Sequence, residues 1–467
     1  MCHFHPRGSL TRRSFVTVSS VAAATLVLRP EEIVAGSSVP APGPMLDVAR
    51  RAERWIRSLR LETEYGVAWP WDAGHPEVTA SLYTGTAGVI LFYLELYHAT
   101  RDDSFLAEAV RGARELASGI PESGPVSPGL YTGLGGFGFC LGETAATSGD
   151  GVLRAAANRC FDLVVESARS VGGGLGWPTP GPEDQPVEIT DIVSGAAGAG
   201  LSLLYAHHRL GHGTARETAV RAGERLIALG RRAEVGTRWA FFDGYNRWMP
   251  NFSHGTAGVA YFLAQLYHET GERRFLDAAV SGAEHLDSIA AAGPNSWRIM
   301  HHDPGGEDLF YLSWCHGPPG TARLYYSLAK TEADRGWMDK VHQGARGIVD
   351  TGIPEQRTPG FWNNISQCCG DAGVAEFFLQ LQKDTGDRVY GEFLDRLVLN
   401  LTSWSTTVGD GTKWVQAENR VSPEELKAQT GFMQGAAGVG SLFLHIDAFQ
   451  QGREPRIVLP DSPYTPM

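Results

Sequence analysis

The chain has 467 residues, 43% of them hydrophobic, with 57 Gly, 26 Pro and a formal charge of −12 at pH 7. Length alone suggests two or three domains with a sizeable core. The acidic balance argues against nucleic acid, which needs a concentrated basic surface, and against a polybasic membrane patch.

In chain order, residues 1–36 stand apart. Thr11-Arg12-Arg13-Ser14-Phe15-Val16 sets paired arginines before a mildly apolar run, Val16 to Leu28, and Val34-Ala35-Gly36 offers a cleavage site. This reads as a twin-arginine export signal, with an N-terminal amphipathic helix as the alternative. It predicts a protein exported to the periplasm or beyond, with no integral membrane segment after signal removal. Cleavage would take Cys2 and leave five cysteines, an odd number that does not pair off as a disulfide framework.

A Pro/Ser linker, 37–44, leads to a helical pattern from Met45 to Leu61. A unit of G-x-x-G followed by an apolar helix then recurs seven times, starting at Gly85, Gly133, Gly195, Gly255, Gly317, Gly370 and Gly435. Spacings of about 50–65 residues suit a helical hairpin with loops. Between the units lie amphipathic stretches, Phe105 to Leu116, Leu153 to Ala168, Ala215 to Leu229, Phe275 to Ile289, Trp337 to Val349 and Tyr390 to Trp404. Asp102, Thr214 and Asp387 are candidate N-caps, and Met45 to Leu61 supplies the seventh amphipathic helix. The pattern predicts an all-α protein, an α/α toroid of seven hairpins with an inner ring of helices wrapped by an outer one. It forms one closed domain over 45–450, followed by a tail at 451–467. Strand signals are few, Lys413 to Gln416 being a minor candidate.

Two turns carry thiols. Ser313-Trp314-Cys315-His316-Gly317-Pro318-Pro319-Gly320 and Ser366-Gln367-Cys368-Cys369-Gly370-Asp371-Ala372-Gly373 each open an apolar helix. Three cysteines meeting there would make a metal site, since thiolates bind Zn²⁺ tightly and three protein ligands leave a fourth position open. A vicinal disulfide of Cys368 and Cys369 is the competing reading. Cys140 and Cys160 account for the other two thiols.

The seven turns, with Trp314-Cys315-His316-Gly317-x-Pro319-Gly320, Cys368-Cys369-Gly370 and Asn251-Phe252-Ser253-His254-Gly255-Thr256-Ala257-Gly258, resemble the lanthionine synthetase C-like family from about Met45 to Gln450. The resemblance implies one zinc ion per chain, held by Cys315, Cys368 and Cys369, the last standing where most members carry histidine. It implies activation of a thiol for Michael-type addition to dehydroamino acids in a peptide, forming thioethers. It also implies a peptide, small thiol or electrophile as substrate. His254 stands at a family histidine proposed for proton transfer, and Asp191 at an acid that orients it; a structural histidine and a helix-terminal carboxylate are the plainer readings. His316 follows the first cysteine where bacterial cyclases often have tyrosine, as a candidate acid or a cavity wall. Tyr311 occupies a position that is often arginine. His301-His302-Asp303 reads as a solvated loop, and Trp239, Trp248, Trp297 and Trp362 as either a cleft lining or a cover for the barrel end. The expectation is a monomer. Two other functions stay open: an exported carbohydrate-active toroid, which would need paired carboxylates or a lyase site, and a non-catalytic zinc-stabilised scaffold that binds peptides or thiols.

Overall fold

The computed structural model describes residues 43–181 and 185–464; the segment read as an export signal and most of the stretch read as a linker lie outside the described residues. Among these residues are 14 α-helices. Seven begin at the glycine turns: α2 (Thr86–Thr100), α4 (Leu134–Ser148), α6 (Ala196–Tyr205), α8 (Thr256–Thr270), α10 (Pro318–Leu328), α12 (Asp371–Thr385) and α14 (Ala436–Gln450). In α2 every residue from Thr86 to Leu96 is buried, as a helix walled in on all sides requires. The other seven are α1 (Pro44–Ser58), α3 (Asp103–Ser118), α5 (Gly151–Ser167), α7 (Ala215–Leu229), α9 (Arg273–Ile289), α11 (Trp337–Val349) and α13 (Arg388–Ser403). They bury one stripe only, such as Phe105, Ala109, Ala113 and Leu116 in α3. Each even-numbered helix from α2 to α12 packs on the odd-numbered one after it, and α14 packs on α1; the even-numbered helices also pack on one another in sequence, α14 returning to α2. The ring is closed, an α/α toroid as the repeat implies.

Sterics at the turns explain the glycines. A Cβ on Gly320 would lie 1.9 Å from the Trp314 carbonyl oxygen, and one on Gly255 only 1.5 Å from that of Met249. The residues two positions before each first glycine tie the turns together through their backbones. Tyr83 N–H donates to the Tyr131 carbonyl (3.0 Å), Tyr131 to Val193 (3.0 Å), Ile192 to Ser253 (3.3 Å), Ser253 to Cys315 (2.9 Å), Cys315 to Cys368 (3.0 Å), Cys368 to Met433 (2.9 Å) and Met433 back to Tyr83 (2.9 Å). Only at Ile192 does the donor shift by one residue.

Some local expectations change. Asp102 and Asp387 cap α3 and α13 through their side chains, but Thr214 makes no such bond to α7. Strands are more numerous than the sequence suggests: eight two-stranded sheets sit in the connections. They are two to four residues per strand, too short to show a sheet face in the sequence. The indole N–H of Trp177, Trp239 and Trp414 donates to the carbonyls of Val164, Leu226 and Leu401, near the ends of α5, α7 and α13. Trp297 and Trp362 likewise donate to backbone carbonyls, of Lys340 and Ala417. These rings hold the connections against the barrel end.

After α14 the chain turns back among the inner helices. The Glu95 carboxylate of α2 accepts the backbone N–H groups of Arg456 and Ile457. Asp461, fully buried, pairs with Arg323 of α10 at 2.9 Å and accepts from the Tyr131 hydroxyl at 3.0 Å. Lys330 donates to the Pro463 carbonyl at 2.6 Å. Between this segment, α10, α12 and α14 remains a cavity of about 110 Å³.

Candidate metal centre

Cys315 and Cys368 occupy the position two residues before the first glycine, and His254, His316, Cys369 and Gln434 the position one before. The closed ring of turns therefore gathers groups from four repeats. The Sγ atoms of Cys315, Cys368 and Cys369 all lie within 4.8 Å of one another, and all three residues are buried. Cys369 Sγ is 3.4 Å from that of Cys315 and 3.4 Å from that of Cys368. None is in a disulfide; Cys140 and Cys160 are free and buried elsewhere in the core. Zn–S bonds of about 2.3 Å in tetrahedral array put sulfurs roughly 3.8 Å apart, so the two edges at Cys369, 3.4 Å each, suit a soft metal ion with a small adjustment. Burial pushes the Cys315 thiol up, reinforced by its two neighbours. Burial opposes the charge on Cys368 as well, but hydrogen bonds from the Cys315 and Cys369 thiols and from Tyr83 hold it well below the ordinary thiol range.

His254 is reached from α6 and α8. Asp191 Oδ1 accepts the backbone N–H groups of Ser194 (2.8 Å) and Gly195 (2.6 Å) at the start of α6, and its Oδ2 lies 2.6 Å from His254 Nδ1. One oxygen of Asp191 thus meets the helix terminus and the other the imidazole. A carboxylate can only accept, so Nδ1 carries the proton and Nε2 is the basic nitrogen. His316, one residue past Cys315, has Nδ1 3.2 Å from Ser253 Oγ, and its ring meets that of His254 edge-on with centroids 5.7 Å apart.

His301 is not a solvated loop residue. It stacks on His316 with centroids 4.0 Å apart and meets Tyr311 edge-on at 4.4 Å. Tyr311 in turn packs on Trp362 at 5.1 Å. Burial, with help from His302, pushes the His301 imidazole down to about 3, and burial with the neighbouring imidazoles keeps His316 well below its usual range. Both are neutral at physiological pH. Trp362, besides covering the end, therefore helps wall the site; Trp239 and Trp297 do not reach it by any ring contact among the described residues. Tyr83, absent from the sequence-based candidates, donates its hydroxyl to Cys368 Sγ at 2.9 Å and accepts from Gln434 Nε2 at 3.0 Å. Aligning the seven repeats on their first glycines would have placed Tyr83 and Gln434 beside the thiols.

Fold and site together define an α/α toroid whose turns converge three buried thiols beside a histidine–carboxylate pair. Residues 76–459 match the model of the family described as lanthionine synthetase C-like protein, and the chain belongs to that family. Among solved structures it is similar to a nisin cyclase at 14% identity and a TM-score of 0.59, covering 87% of this chain and 94% of that one. It is also similar to a GH76 α-mannanase from Bacteroides thetaiotaomicron at 10% identity and a TM-score of 0.47, covering 88% and 99% of the two chains. An unsaturated glucuronyl hydrolase from Bacillus sp. GL1 matches at 16% identity and a TM-score of 0.45, covering 66% and 83%. No helix among the described residues is long and apolar enough to cross a membrane.

Proposed function

We propose that the chain holds one zinc ion on Cys315, Cys368 and Cys369 and activates a thiol for Michael-type addition to a dehydroamino acid in a peptide, forming a thioether. The observation that carries this reading is the buried, unoxidised triangle of thiols beside the His254–Asp191 pair. A zinc ion there would supply an open coordination position at which a substrate thiol is acidified.

The chain's own residues divide the proton work. His254 takes the thiol proton on Nε2, with Asp191 fixing the ring through Nδ1 and stabilising the imidazolium, as in other oriented histidine bases. As the sulfur bonds to the β-carbon, the π pair of the double bond moves to the α-carbon. The same imidazolium returns its proton there, and no group leaves. Neutral His316 and His301, with Tyr311 and Trp362, exclude water from one flank of the site.

The test is metal content of the purified chain with and without Cys315→Ala, followed by a mass assay for addition of a thiol to a dehydrobutyrine peptide. One zinc per chain, lost in the variant together with thioether formation, is expected. A metal-free chain with Cys368 and Cys369 oxidised would sink the reading.

A further inference from the structure

A site that activates a substrate thiol with three cysteine ligands has a selectivity problem, because four sulfurs compete for one electrophile. The structure treats the ligand sulfurs unequally. Cys368 Sγ receives a hydroxyl hydrogen bond from Tyr83, and the direction of that bond can be traced to a backbone amide. Ile365 N–H donates to Gln416 Oε1 at 3.0 Å, which fixes that amide and turns its NH₂ group away. Gln416 Nε2 then faces three acceptors, the Gln434 backbone carbonyl, Gln429 Oε1 at 3.2 Å and, at the longest reach, Gln434 Oε1 at 3.3 Å. With Oε1 on the side of the Gln416 amide, Gln434 presents Nε2 to the Tyr83 oxygen at 3.0 Å. An oxygen that accepts from an amide directs its own proton elsewhere, and Cys368 Sγ lies 2.9 Å away. All of these side chains except that of Tyr83, which is nearly buried, are fully or almost fully enclosed, so water does not compete freely with the relay.

Resting on the zinc and thiol-addition reading above, we propose that Tyr83 is a positioning residue that protects Cys368. Its hydroxyl, oriented by Gln434 and Gln416, draws electron density from that sulfur so that the substrate thiol and not the ligand adds to the electrophile. The suppressed side reaction is balanced in the same way as the productive one. Cys368 Sγ would bond to the β-carbon of the acceptor, the π pair would move to the α-carbon, and water would supply the proton there.

The experiment uses the full chain and N-ethylmaleimide, a simple Michael acceptor, with metal content measured on the same samples and peptide mapping to find the modified cysteine. Tyr83→Phe removes the donor. Gln434→Glu keeps the phenol but offers it a carboxylate, which captures the hydroxyl proton and takes it from the sulfur. Both variants should retain the metal and be alkylated at Cys368 about tenfold faster than wild type, in line with loss of one hydrogen bond to a charged acceptor. The cobalt-substituted forms should shift their sulfur-to-metal absorption band. Equal alkylation of Cys368 in wild type and both variants, with metal bound in all, overturns the role of Tyr83 while leaving the zinc reading intact. A wild-type chain that binds no metal overturns both.

Discussion

The most demanding prediction concerns the segment that returns into the barrel. Asp461 is fully buried, and its carboxylate is shared by the Arg323 guanidinium (2.9 Å) and the Tyr131 hydroxyl (3.0 Å). Arg323 also donates to the Asp461 backbone carbonyl at 2.8 Å, and its guanidinium lies over Phe252 at 5.5 Å. Replacing Asp461 by Leu leaves that cation nearly buried with one backbone acceptor. Removing a single partner of such a pair costs about 3–5 kcal/mol. Arg323→Met should cost a similar amount, since it strands the carboxylate. The double variant should cost well under the sum of the two, about 1–3 kcal/mol, because an apolar pair replaces the ion pair at little net cost and only the buried Tyr131 hydroxyl is left without its acceptor. Urea unfolding followed by far-UV circular dichroism measures all four corners of the cycle. Two single losses below about 0.5 kcal/mol that simply add in the double variant would refute the argument. The segment would then be lying against the inner helices without holding them.

Three further outcomes follow from the site and the turns. Asp191→Asn keeps the backbone contacts possible but removes the charge that stabilises an imidazolium on His254; the rate of thioether formation should fall roughly 10²–10⁴-fold with metal content unchanged, and a fall below tenfold would contradict the pairing. The folded imidazoles of His98 and His301 are held at about 4 and about 3, mainly by burial. The unfolded chain therefore takes up protons first, and stability present above pH 6.5 is lost as pH falls toward those values. His301→Phe should flatten the loss by a few kcal/mol at most, with His98 contributing less because its pKa is displaced less; an unchanged pH slope in unfolding titrations counts against it. Gly320→Ala forces a Cβ onto the Trp314 carbonyl and should cost about 1–3 kcal/mol or more, whereas Gly151→Ala, with nothing within 4 Å of the new carbon, should be neutral or slightly stabilising. Similar thermal midpoints for the two would show that the turns do not need their glycines.

Much of the toroid was legible because its constraint is local and repeated. Each turn needs small residues where backbone meets backbone, and each helix shows in its apolar pattern whether it is walled in or half exposed. The thiol triangle was legible for the same reason, Cys315 and Cys368 sitting at the same place in adjacent repeats with Cys369 next to the second. What escaped lies in long-range partnerships. Tyr83 and Cys368 are 285 positions apart, and only the alignment of the repeats, not the residues around Tyr83, sets it apart from a core tyrosine. His301 looked solvated because it sits among Gly, Pro and Asp, yet its loop is folded over His316 and pinned by the bond from Asn251 to the Met300 carbonyl. The short hairpins run only two to four residues per strand, too few for an alternating pattern to be read. The returning segment, Glu454 to Tyr464, has the proline-rich look of a linker, and its one diagnostic residue, Asp461, reveals itself only against Arg323.

The packing of α1 on α14 sets an order of assembly. A chain made from its N-terminus can pair neighbouring hairpins early, but the first described helix must wait for the last before the ring shuts. The thiol-bearing turns open α10 and α12, and the hydrogen bonds from Cys368 to Met433 and from Met433 to Tyr83 that complete their surroundings form only at that final step. An ion held by all three sulfurs would favour the shut ring over the open one, and its binding free energy would be added to that of closure. Capturing the metal and closing the circle are then two readings of one equilibrium.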